Sequence, residues 1–121
     1  MDVTAPIIDM PNFGIIPPLT TSSSFQLNVK VNENATLYYV LLPSNMLPPN
    51  KALIKQGKDF DGNDALSSGN SALKADKISE LEFTGLTEDT NYGLALFIED
   101  AAENSTDIHF FPVKTNSSSI D

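Results

Sequence analysis

Residues 85–106, GLTEDTNYGLALFIEDAAENST, constrain the fold more than any other part of the chain. Leu86 opens the segment, a polar turn follows, and Tyr92 comes next. From there Tyr92, Leu94, Leu96 and Ile98 take every second position, so one face of a strand is apolar. The cluster of Asp, Ala, Glu and Asn that follows predicts the end of the buried strand. A leucine, a tight corner, a tyrosine and an alternating strand is how a chain enters a central strand of an antiparallel sandwich. The tyrosine hydroxyl there bonds back to backbone a few residues upstream and locks the corner. The pattern points to an architecture and carries no chemistry of its own.

The remaining segments agree with it. Residues 7–10 are predicted as a short first strand, followed by a loop rich in Pro and Gly (Pro11, Gly14, Pro17, Pro18). Phe25, Leu27, Val29 and Val31 alternate with Gln26, Asn28 and Lys30, which reads as a half-buried strand. Residues 36–42, TLYYVLL, are apolar on both faces and suit a central strand covered on each side, ending at Pro43. Residues 49–56 switch to helix chemistry: Pro49 suits a first turn and Gly57 a C-cap, and Leu53 and Ile54 are expected to close an end of the sandwich. An edge strand is expected over residues 71–75 and another strand over 78–83, with Leu81 and Phe83 inward. The last runs over about 108–113, where Pro112 implies an edge or a strand end. Seven or eight short strands separated by turns predict an all-β antiparallel sandwich. It spans residues 7–114, between an N-terminal linker (1–6) and a C-terminal linker (115–121). Polar ends on both sides suit a module within a larger protein.

Composition narrows the function. A chain of 121 residues builds one core without disulfides or metal. Its net charge of −9 repels phosphate backbones, so nucleic acid and anionic membranes are not expected partners. With no cysteine there is no disulfide, thiolate zinc site or cysteine nucleophile. No apolar run is long enough to span a membrane, and no secretory signal follows Met1.

On Leu81, Phe83, Leu86, Thr90, Tyr92, Leu94 and Leu96 the chain resembles a fibronectin type III-like, immunoglobulin-fold module. The opening DVTAP and the pairing of ATLYYVLLP with the closing EDAAEN resemble the variant repeated in large cell-surface or secreted proteins. The resemblance implies a seven-stranded immunoglobulin-like sandwich with one short helix between its third and fourth strands. Departures are the absence of Trp, of an Arg-Gly-Asp triplet, and of Gly at position 103, where Glu103 implies a turn of different shape.

Several constellations carry potential chemistry. His109 is the only histidine; no nucleophile elbow accompanies it, and an exposed residue of an edge strand is the expectation. Asp59, Asp61, Asn63 and Asp64 offer oxygens, but an EF-hand would need Glu where Asn70 stands, so a polar turn around Gly62 is expected. Asp2, Glu99, Asp100, Glu103 and Asn104 allow two readings: a calcium site between tandem copies, or a turn whose carboxylates bond local backbone. Sequons occur at Asn34, Asn104 and Asn116, all in predicted turns or tails. Tyr38 and Tyr39 offer aromatic surface to a sugar, although in any strand one of them faces the core. No catalytic, cofactor-binding or metal-ligating residue is assigned.

These readings lead to a non-catalytic structural or adhesive module, extracellular or at the cell surface, that acts as a spacer within a larger protein. The alternative is an accessory, carbohydrate-associated module of a secreted enzyme. Expected partners are neighbouring domains of the parent chain and another surface protein or glycan, and the isolated domain is expected to be a monomer.

Overall fold

The computed structural model describes residues 6–9, 13–15, 21–43 and 49–116. In chain order these form β1 (Gly14–Ile15), β2 (Phe25–Val29), β3 (Ala35–Pro43), α1 (Lys51–Gln56), β4 (Ser67–Leu73), β5 (Ser79–Phe83), β6 (Asn91–Asp100) and β7 (His109–Lys114). Two antiparallel sheets result, one in the order β1-β2-β5 and the other β4-β3-β6-β7. The expected immunoglobulin-like sandwich with a helix between its third and fourth strands is what forms.

Strand alternation builds the main core. Phe25, Leu27 and Val29 of β2 and Phe83 of β5 meet Leu37 and Leu41 of β3 and Leu94, Leu96 and Ile98 of β6. Fully burying each such side chain is worth about 2 kcal/mol. The cross-strand pair Phe25 and Phe83 stacks at 4.8 Å, and Tyr39 from the opposite sheet meets Phe83 edge-on at 5.0 Å.

The two central strands are apolar on both sides, and this creates a second core outside the sandwich. Val40 and Leu42 of β3 and Ala95 and Phe97 of β6 point away from the first core and pack with Ile54 of α1. The helix therefore covers the outer face of the larger sheet rather than an end of the sandwich. A both-sided apolar run must be covered on both sides, and α1 is the element next in sequence that can do it. Six residues are too few for a helix to stand alone. The Asn50 side chain accepts the Leu53 N–H at 2.9 Å, and Gly57 caps the other end in the left-handed region at φ 74°. Lys51 donates to Ser105 Oγ at 2.8 Å and Lys55 to Glu99 at 2.7 Å, their ammonium groups lying over the rings of Phe97 and Tyr38.

Other elements depart from expectation. Within residues 7–10, described as far as Asp9, only Ile8 pairs, as a single bridge to Val31. The strand pairing with β2 moves to Gly14–Ile15, inside the segment read as loop, because β2 needs an edge partner opposite Leu27 and Asn28 as well. β4 runs over Ser67–Leu73 instead of 71–75, matching β3 from Leu41 to Ala35. It extends a four-stranded sheet beyond a three-stranded one, so it is exposed along most of its length and its composition is Ser, Gly and Asn. β6 continues to Asp100, and Gly93, Ala95 and Phe97 are buried along with the alternating set. A Cβ at Gly93 would run into the Phe110 ring that lies across it from β7, so any side chain there would force that ring to move. Pro112 lies on β7, an edge strand as predicted.

Candidate functional site

Most of the polar residues that stand out in the sequence occupy turns, and their oxygens are bonded inward. At the corner before β6 the Thr87 N–H donates to the hydroxyl oxygen of buried Tyr92 at 2.9 Å. The predicted corner is present. Thr115, placed by the sequence in the C-terminal linker, completes it. Its buried Oγ1 accepts from the Thr90 N–H at 3.0 Å and donates to the Thr87 carbonyl at 2.6 Å. Asn116 accepts the Asp89 N–H and donates its own N–H to the Thr21 carbonyl. A Thr followed by a run of Asn and Ser gives no periodic signal, so this clamp was not legible.

The segment KDFDGND forms the polar turn expected around Gly62. Asp59 Oδ1 accepts the N–H groups of Asp61 and Asn63 at 2.9 and 3.0 Å, and Lys58 pairs with Asp64 at 2.6 Å. That hydrogen bond from the ammonium holds the Asp64 carboxyl below its usual range.

The turn after β6 repeats the arrangement. Asp100 Oδ1 accepts the N–H groups of Ala102 and Asn104, both at 2.9 Å, and the Asn104 amide reaches Asp100 Oδ2 at 3.3 Å. Glu103 adopts φ 67°, so the turn keeps the shape that glycine would give it, contrary to expectation. Glu99 does not join this cluster. It bonds Lys55, whose pKa is raised chiefly by that hydrogen bond. Asp2 lies outside the described residues. Among those described, no three acidic or histidine side chains converge into a metal cage.

His109 stands opposite Leu96 in the β6–β7 pair, on the side of the sheet that faces the main core, and its ring meets Phe13 edge-on at 5.1 Å. It is half-buried rather than the exposed strand residue expected, because the short β1 leaves a gap that Phe13 and His109 fill. Burial lowers its pKa from the usual 6.5, with Asp107 opposing the shift. Any stability it contributes is therefore complete above that value and is lost as pH falls through the lowered one. Tyr39 faces the main core, and Tyr38 stacks on Phe97 at 5.4 Å beneath Lys55.

No protein-family model matches this chain, and no curated protein does. Among solved structures it is similar to a protein from a computer-based redesign of a β-sandwich. The match has a TM-score of 0.53 and 11% identity, and covers 98% of this chain and 100% of that one. The likeness is one of fold alone.

Proposed function

We propose that the domain is a non-catalytic, fibronectin type III-like spacer module of a larger extracellular or cell-surface protein. The observation that carries this reading is where the chain comes in and where it leaves. Ile7 is bonded to Asn32, just beyond the C-terminal end of β2, by its N–H and its carbonyl. Asn116 is bonded to Thr21, just before the N-terminal end of β2. The two ends of the folded body thus lie at opposite poles, the arrangement that lets modules stack head to tail.

Inward-bonded turns, a half-buried lone histidine packed on a phenylalanine and the locked corner support a rigid body with a structural role. Among the described residues no helix is long and apolar enough to cross a membrane.

Two copies joined in tandem test the reading by small-angle scattering. An extended particle, close to twice the length of one domain, is expected, together with a monomer in sedimentation. A collapsed pair would overturn the spacer role. Hydrolytic turnover lost on changing His109 would overturn the non-catalytic one. Saturable glycan binding would move the assignment to the accessory module of a secreted enzyme.

A further inference from the structure

We propose that Asn34 is the acceptor of an N-linked glycan, and that this glycan lies over the Leu73 end of β4. The inference rests on the extracellular reading above. The sequons at Asn34 and Asn104 look alike in sequence and are held differently in the fold. Asn34 is exposed in the turn between β2 and β3; its Oδ1 accepts the Ala75 N–H at 2.9 Å, which fixes the side chain while leaving its Nδ2 without a partner among the described residues. Asn104 is the reverse. Its Nδ2 donates to Asp100, its N–H and carbonyl both close the Asp100 turn, and the hydroxyl of its sequon partner Thr106 is engaged by the Ile98 N–H and the Asp107 carbonyl. Modification there would dismantle a turn that ends a central strand.

The surroundings favour Asn34 as well. It opens onto a groove of about 450 Å³ whose walls include Tyr38, Ala72, Lys74, Glu99 and Glu103. One half-buried aromatic flanked by charged and polar groups suits a sugar's mixture of C–H faces and hydroxyls. The same groove reaches the Ala72–Leu73 end of β4, and among the described residues β4 is the unguarded sheet edge. β1 has two residues, β5 carries Glu80 and Glu82, and β7 contains Pro112, whereas β4 presents seven residues with neither charge nor proline. Open edges of that kind invite pairing with other chains. A glycan rooted at Asn34 stands at the end of this edge.

The modification forms a bond between Asn34 Nδ2 and the anomeric carbon of the first sugar. It breaks that carbon's bond to the diphosphate of a lipid-linked oligosaccharide donor, and the lipid diphosphate leaves as the amide proton is lost.

The test is secretion of the full chain from a eukaryotic cell, with Asn116→Gln throughout, followed by glycopeptide mapping. One glycan on Asn34 is expected. It should disappear in Asn34→Gln and also in Thr36→Val, which keeps Asn34 itself, and persist in Asn104→Gln. An unoccupied Asn34 in the secreted, folded protein would overturn the proposal, as would a glycan mapped to Asn104. Failure of this kind leaves tandem length and the absence of turnover untouched, so it is distinguishable from failure of the spacer reading. Amide exchange in β4 should be slower with the glycan than after its enzymatic removal. Equal rates would overturn the covering role.

Discussion

Residues 59–63 and 100–104 are the same turn built twice. In each an Asp carboxylate accepts the N–H groups two and four residues on, its own N–H donates to the carbonyl of an Asn four residues on, and its carbonyl accepts the N–H of the residue before that Asn. The two differ in setting and in one backbone-critical residue. The first turn lies in the connection between α1 and β4, tied by the Lys58–Asp64 bridge and carrying exposed Phe60. The second ends the central strand β6; beyond each turn the chain is closed in the same way, by the bridges Lys58 to Asp64 and Glu99 to Ser105 and by hydrogen bonds from the Ala65 N–H to the Gly57 carbonyl and from the Thr106 N–H to the Ile98 carbonyl. Where the first has Gly62 at φ 84°, the second has Glu103 at φ 67°. An identical hydrogen-bond plan thus survives an unfavourable residue where the turn follows directly on a central strand.

The largest expected effect separates the turns by setting. Asp100→Ala removes an acceptor from two backbone N–H groups and from Asn104 at the end of a central strand. It should cost about 2–3 kcal/mol in equilibrium urea unfolding. Asp59→Ala removes the equivalent bonds from a turn whose other residues are exposed, where water can replace the carboxylate, and should cost about 1 kcal/mol. Equal losses would mean that the preceding strand adds nothing to the second turn.

The Tyr92 corner extends the comparison to a neutral acceptor. Tyr92→Phe keeps the ring in the core and leaves the Thr87 N–H without its partner, so a cost of about 1–2 kcal/mol is expected by the same measurement. This lies between the two Asp variants. A midpoint unchanged from the parent would show that Thr115, which bonds the same loop, holds the corner without the tyrosine.

Legibility in the sequence followed how local each cause was. The tyrosine corner was readable because leucine, turn and tyrosine are close together and a fixed period follows. The central strands were readable from TLYYVLL and from the alternation after Tyr92. The helix was readable over 49–56 with its Gly57 cap, although Asn50 caps it and Pro49 stays outside; its seat was misplaced, since only the sheet order shows which face Val40 and Leu42 present to it. β4 was shortened because Ser, Gly and Asn carry no alternation, and its partner β3 lies across a long connection. Thr115 was missed for the same reason: its role depends on Thr87 and Thr90, 28 and 25 residues away. The repeated Asp turn was present in the letters, DFDGN and DAAEN, but glycine at one fourth position and glutamate at the other hid the likeness.

The smallest expected effects exchange that one residue. Gly62→Ala places a Cβ in the left-handed region, where it meets no neighbouring atom, so the cost is purely the backbone preference, about 1 kcal/mol. Glu103→Gly acts in the opposite direction. It relieves a comparable strain, and the greater freedom of glycine in the unfolded chain cancels part of the gain, leaving a stabilisation of about 0.5 kcal/mol. Glu103 is exposed and its relief requires no repacking, so the change should appear as a raised urea midpoint with an unchanged slope. A lowered midpoint would show that the Glu103 side chain contributes more than its backbone strain costs. The two turns would then be alike in hydrogen bonding while drawing their stability from different sources.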